Sequence, residues 1–255
     1  MHLDKIKQVK TSSAYQHIFL LSHMRANTSL MSHILGSHPQ ISGYYEMHLS
    51  YRTESDLIKQ KELYSNKDVI KSSSRYLFDK LLHNDYQLLL ENLDMTKIKL
   101  LVSVRSPEQT IKSIINLFRS KKNQHPYAQP ELATEYYRSR ILELVKFCER
   151  YKGRYYYYDA DLIRSSSKKN LQHIQNWLSL DSPLIEQYQI FSQTGQARAG
   201  DSSENMRKGE IIKQQTNYEA IEIPTNLLRK VIRETRDHKH VIIENAIEAL
   251  SLDSN

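Results

Sequence analysis

Ile18-Phe19-Leu20-Leu21-Ser22-His23-Met24-Arg25-Ala26-Asn27-Thr28-Ser29-Leu30-Met31 reads as a buried strand, a short basic loop and the start of a helix. A short apolar run without alternation fits a strand covered on both faces. Leu30, Met31, Ile34 and Leu35 then fall on one helical face, with Gly36 and Pro39 as stop signals. A helix that opens behind a loop is an anion site. Its first N–H groups lack partners and its dipole favours negative charge. Arg25, Thr28 and Ser29 add a cation and two hydroxyls at that point.

The same alternation continues along the chain. Strands are expected at 17–21, weakly at 68–72, at 98–104 and at 154–158. Helices are expected at 28–35, around 75–82, from Ser106-Pro107 onward, near 131–151 and around Leu171, Ile174, Trp177 and Leu178. Pro224 is expected to open a last long helix or a pair of helices. The stretch 193–209 holds three of the six glycines and reads as a long loop. Strands that alternate with helices predict an α/β fold with a mainly parallel sheet. We expect a single domain over residues 1–255, with a polar segment at 1–15 and a helical one at 212–255.

Composition narrows the function. The 255 residues are 39% hydrophobic and 25% charged, as in an ordinary globular protein, with 17 tyrosines and a net charge of +7. That charge suits an anionic ligand. Aromatic and basic residues do not interleave as in RNA-binding modules, so no nucleic-acid partner is expected. Cys148 is the only cysteine, which excludes an intrachain disulfide framework. No apolar run approaches the ~20 residues of a membrane-spanning helix. The polar first 16 residues do not read as a signal peptide, and a cytoplasmic setting is expected. No His, Cys or acidic cluster has zinc spacing, so no metal is expected.

A phosphate-binding strand–loop–helix raises the Walker pattern, Gly, four residues, then Gly-Lys-Ser/Thr. Here Ser22 and Asn27 stand at the glycines, Thr28 at the lysine and Ser29 at the hydroxyl. The cation has moved forward to Arg25, and the clearest other strand ends in Arg105 rather than a Mg²⁺-binding acid. ATP or GTP chemistry is disfavoured.

Arg25-Ala26-Asn27-Thr28-Ser29-Leu30 resembles the 5′-phosphosulfate loop of sulfotransferases, enzymes that use 3′-phosphoadenosine-5′-phosphosulfate (PAPS). The family has a Lys or Arg three residues before a Ser/Thr pair, and Gly where this chain has Asn27. Asn tolerates positive φ better than most side chains. Val104-Arg105-Ser106-Pro107 with Ser113 resembles the family's 3′-phosphate motif, a strand-end Arg followed eight residues later by Ser. Ser113 is flanked by Ile111, Ile114 and Ile115, which face the core, so its hydroxyl is placed to look back to the sheet edge. Weaker likenesses are Tyr157-Tyr158-Asp159-Ala160-Asp161-Leu162 to the family's Tyr-Glu-Asp-Leu strand, and Asp68-Val69-Ile70-Lys71-Ser72-Ser73 to its internal Lys-Ser strand. Gly200-Asp201 with Arg207-Lys208-Gly209 resembles its C-terminal 3′-phosphate clamp.

The resemblance implies a P-loop-like three-layer α/β/α fold. It implies sulfuryl transfer from PAPS to a hydroxyl or amine, leaving adenosine 3′,5′-bisphosphate, with no metal because cationic side chains replace it. Arg25, Ala26, Asn27, Thr28, Ser29, Leu30, Arg105, Ser113, Arg207, Lys208 and Gly209 would hold the nucleotide. Arg25 would also stabilise charge on the leaving phosphate, and Lys71 would contact the sulfate bridge. The base would be Glu46, in Ser42-Gly43-Tyr44-Tyr45-Glu46-Met47-His48, because carbohydrate and protein-tyrosine sulfotransferases resemble this layout. A carboxylate ionised near neutral pH can accept the proton. His48 is the runner-up. The acceptor implied is a carbohydrate or glycolipid hydroxyl. Two alternatives stay open: a non-catalytic binder of adenosine 3′,5′-bisphosphate or nucleic acid, and a P-loop kinase-like enzyme.

Overall fold

The computed structural model describes residues 15–119, 125–196, 204–213 and 217–252. Strand β1 (Gln16–Leu21) is followed by helix α1 (Thr28–Ser37), β2 (Ile41–Ser42), α2 (Glu54–Ser65), β3 (Tyr76–Leu81) and β4 (Ile98–Val104). Then come α3 (Pro107–Arg119), α4 (Pro130–Arg150), β5 (Tyr156–Asp159), α5 (Leu162–Ser165), α6 (Ser167–Leu178), α7 (Thr225–Glu244) and β6 (Glu248–Leu250). The described strands form one six-stranded sheet in the order β2-β3-β1-β4-β5-β6, and every pairing is parallel. The anticipated N-terminal segment, 1–15, lies outside the described residues except for Tyr15.

Strand alternation splits the core into two layers. Phe19, Leu21, Leu81, Leu100, Val102, Tyr155 and Tyr157 pack with residues of α2, α3, α4 and α7. Ile18, Leu20, Tyr76, Phe78, Leu101, Tyr156 and Tyr158 pack with residues of α1, α5 and α6. The tyrosine run 155–158 thus serves both faces, two rings to each. Helices on both sides of a parallel sheet make the three-layer α/β/α fold, and both faces must be apolar in such a sheet. Full burial of each Ile, Leu or Val contributes roughly 1.5–3 kcal/mol.

Two expected elements are corrected. Residues 68–72 form no strand, and 76–81, read as helix, is the interior strand β3. Tyr76, Phe78 and Leu81 fit either period over so short a run. Pairing with β1 on one side and β2 on the other decides for the strand. The helix expected to end at Leu35 runs through Ser37. Gly36 serves close packing within it, because a Cβ there would lie 2.7 Å from Gly43 O and 2.8 Å from Tyr44 Cβ. Helix α2 was not anticipated, although Asp56 Oδ2 accepts from Thr53 N at 2.9 Å, half of a capping box. Strand β6 lies inside the stretch expected to be only helical, at the sheet edge beside β5.

Candidate active site

The carboxyl ends of β1, β3, β4 and β5 open onto a cleft of about 390 Å³, within the usual range for a small-molecule site. Its basic end is built by the loop after β1. Arg25 has φ 63 and Asn27 φ 55, both left-handed, and α1 starts at Thr28 with no acidic residue in its first turn. Turns of this kind gather backbone N–H groups, and the uncompensated helix dipole adds to them. Thr28 and Ser29 are buried. Lys80, also buried, donates from Nζ to Ser29 Oγ at 3.2 Å.

The second motif meets this loop directly. Arg25 Nε donates to Ser113 Oγ at 2.9 Å, and Arg105 Nη1 donates to Arg25 O at 3.0 Å. Arg105 Nε is also paired with Asp161 Oδ1 at 2.9 Å, which holds the guanidinium on the strand end. Ser113 Oγ lies 3.0 Å from Tyr218 OH.

His23 joins the two loops. Its Nδ1 faces Met24 O at 2.9 Å, so that nitrogen bears the proton, and Nε2 accepts from Arg105 N at 3.0 Å. Its pKa is brought down to about 3, mainly by burial, with the hydrogen bond to Met24 opposing and the charges of Arg105 and Arg140 adding to the fall. It is therefore a neutral imidazole with a fixed tautomer.

The part of the cleft that follows β2 and β3 holds Glu46, His48 and His83. Glu46 is buried, and its Oε1 accepts no hydrogen bond among the described residues. His48 Nδ1 stands 3.7 Å from that oxygen and His83 Nε2 3.8 Å. Burial lowers the pKa of His83, partly offset by Glu46. Beneath them Asp79 accepts from Met47 N at 3.0 Å, Tyr51 OH at 2.6 Å and its own neighbour Lys80 N at 2.7 Å. Adjacent strand positions face opposite sides. Asp79 thus supports the Glu46 loop while Lys80 reaches the anion loop.

Arg25, Asn27, Thr28, Ser29, Leu30, Arg105, Ser113, Glu46 and His48 all line the cleft; Ala26 does not, although it lies in the loop. Lys71 is elsewhere. Its Nζ donates to Gly36 O, to His38 O at 2.9 Å and to Ile41 O at 2.8 Å, collecting carbonyls at the C-terminal end of α1. Desolvation brings its pKa down to about 8. Arg207, Lys208 and Gly209 also miss the cleft lining, whereas Asn205, Met206, Glu210 and Ile212 contribute to it. Arg207 is exposed, with Glu204 at 3.9 Å. Gly200 and Asp201 lie outside the described residues. Tyr44 and Tyr45 pack with Tyr64 and Phe191 in a satellite cluster.

Lys80, His83 and Arg164 line the cleft and were not singled out in the sequence. Lys80 was hidden by the helical reading of 75–82. A strand there puts every second residue toward α1.

Among the described residues no group of three His, Cys, Asp or Glu side chains is placed to hold a metal, and no helix is long and apolar enough to cross a membrane. No protein-family model matches the chain, and no curated protein matches it. Solved structures do. The sulfotransferase domain of the Synechococcus PCC 7002 olefin synthase is similar with a TM-score of 0.61 at 19% identity, over 90% of this chain and 96% of that one. The sulfotransferase domain from the curacin biosynthetic pathway is similar with a TM-score of 0.55 at 15% identity, over 89% and 99%. Sulfotransferase STF9 from Mycobacterium avium gives 0.52 at 13% identity, over 89% and 77%.

Proposed function

We propose that this chain, which has the sulfotransferase fold, transfers a sulfuryl group from PAPS to a hydroxyl or amine. One observation carries the reading: two basic motifs 80 residues apart meet in a single cleft through the Arg25–Ser113 and Arg105–Arg25 hydrogen bonds. Two separated phosphates need two such anion sites, and a lone mononucleotide phosphate needs one.

In this reading PAPS supplies the activated sulfuryl group. Thr28, Ser29, Lys80 and the N-terminal N–H groups of α1 hold the 5′-phosphosulfate, while Arg105 and Ser113 hold the 3′-phosphate. Arg25 stands between them and stabilises charge left on the 5′-phosphate as its bond to sulfur breaks. Glu46 takes the acceptor's proton as the acceptor oxygen bonds to sulfur. Catalysis is then mostly positioning and charge stabilisation. The unsatisfied Glu46 oxygen supports the base role over His48, which is the more exposed of the two. It also favours an enzyme over a passive binder, which has no use for a buried carboxylate facing the acceptor.

A carbohydrate or glycolipid hydroxyl is the acceptor we propose from the Glu46 layout. A cytoplasmic setting is the one we propose for a chain whose single cysteine, Cys148, is a free, buried thiol.

Thermal shift with adenosine 3′,5′-bisphosphate, AMP and ATP tests the cofactor. Ligand at about 100 times its dissociation constant adds ~2.7 kcal/mol, several degrees for a chain of this size. The bisphosphate should shift the melting temperature most. Equal shifts from AMP would remove the 3′-phosphate assignment.

A further inference from the structure

Asn27 occupies the loop position where the sulfotransferases that this chain resembles have glycine. Its backbone is left-handed, φ 55 and ψ 16, a conformation that costs an L-residue roughly 1–2 kcal/mol and costs Asn least. Tolerance alone would make it a passable glycine substitute. The side chain does more. Nδ2 donates to Ala160 O at 3.1 Å, just past the end of β5. Oδ1 accepts from Arg164 Nε at 3.2 Å. Arg164, in α5, also donates from Nη1 to Ile212 O. Ile212 lies three residues beyond Gly209, in the segment that contributes Glu210 and Ile212 to the cleft wall.

We infer that Asn27 and Arg164 form a latch that fastens the anion loop to the segment after Gly209, so that the two walls of the nucleotide end are held as one unit. The inference rests on the cofactor reading above and names two positioning residues for it. A glycine at position 27 would supply the same turn and neither side-chain bond. The planar guanidinium of Arg164 spans two acceptors in fixed geometry, so each wall is placed by the same group. Arg164 also lines the cleft, which puts its charge beside an anionic ligand. A pre-assembled pair of walls loses less freedom when the ligand arrives and binds it more tightly.

The test is isothermal titration of adenosine 3′,5′-bisphosphate into the wild type, Asn27→Gly, Arg164→Ala and the double variant, with a melting curve for each. Each single change should raise the dissociation constant about tenfold. In the Arg164→Ala background, Asn27→Gly should add less than about threefold, because the two act through one bond. A merely structural role would lower the melting temperature and leave the affinity of the folded protein unchanged. Asn27→Gly binding as tightly as the wild type, or more tightly, would overturn the latch alone, as would effects that multiply in the double variant. A wild type that does not bind the bisphosphate would overturn the cofactor reading and the latch with it.

Discussion

At the basic end of the cleft, Arg25, Arg105 and Ser113 hold one another at 2.9–3.0 Å, whereas at the other end Glu46 Oε1 stands 3.7 and 3.8 Å from two histidine nitrogens and accepts no hydrogen bond among the described residues. The basic end comes from two strand–loop–helix units whose geometry is local, so its groups are fixed before any ligand arrives. The other end comes from a loop after β2 and the residues after β3, and there a buried carboxylate oxygen accepts no hydrogen bond among the described residues. The difference matches the work we propose for each end. Preorganised cations bind and stabilise charge. A buried, unsatisfied carboxylate carries a standing cost, of a kind that concentrates at functional sites.

Glu46→Gln puts the sharpest strain on that comparison. It keeps the shape and removes proton acceptance. Sulfuryl transfer should fall ~100-fold or more, while bisphosphate affinity stays at the wild-type value. Turnover at the wild-type rate would take the base role from Glu46, and lost nucleotide affinity would show that the two ends are not separate.

Two lysines nine residues apart sharpen it further. Lys80 Nζ meets Ser29 in the cleft, and Lys71 Nζ meets three carbonyls behind α1. Lys80→Met should weaken bisphosphate binding by about tenfold, the loss of one charge-assisted hydrogen bond. Lys71→Met should leave affinity alone and cost about 2–3 kcal/mol of stability, since buried carbonyls lose their donor. Calorimetric titration and thermal denaturation of both variants separate the roles. A Lys71→Met protein that folds normally and binds poorly would return Lys71 to the site.

Why the sequence revealed one end better than the other follows from the same contrast. Residues 98–104 and the helix after Pro107 are written locally: a seven-residue apolar run, then Ser106 and Pro107 at a helix start. The Arg105–Ser113 spacing therefore survives in one dimension, and so does the loop from Arg25 to Leu30. Glu46 was found through resemblance, not through any pattern of its own. Lys80 was missed because Tyr76–Leu81 was assigned the wrong period, and Lys71, singled out in its place, meets carbonyls behind α1 and not the cleft. A six-residue strand buried on both faces has no alternation to read, and only its neighbours β1 and β2 define it. The partners of Asn27, Ala160 and Arg164, lie more than 130 residues away, and no local signal links them.

Asp79 underlies both ends, and its titration is the smallest effect the comparison yields. Burial pushes its pKa up from 3.8 to about 7, the hydrogen bonds from Tyr51, Met47 and Lys80 pull it back, and the charge of Glu46 adds to the rise. A carboxyl raised on folding gives stability that is complete below its unfolded pKa and is lost as pH climbs through the folded value. The window here runs from about 4 to about 7. Asp79→Asn removes the titration and keeps an oxygen for Met47 N. Wild-type stability minus that of Asp79→Asn should therefore decline between pH 5 and 7 and level off by pH 8, with a slope bounded at about 1.4 kcal/mol per pH unit. Melting curves of both proteins over that range measure it. A difference that instead grows with pH would mean that the three donors outweigh burial, and that Asp79 is ionised throughout as the fixed negative charge between Lys80 and the Glu46 loop.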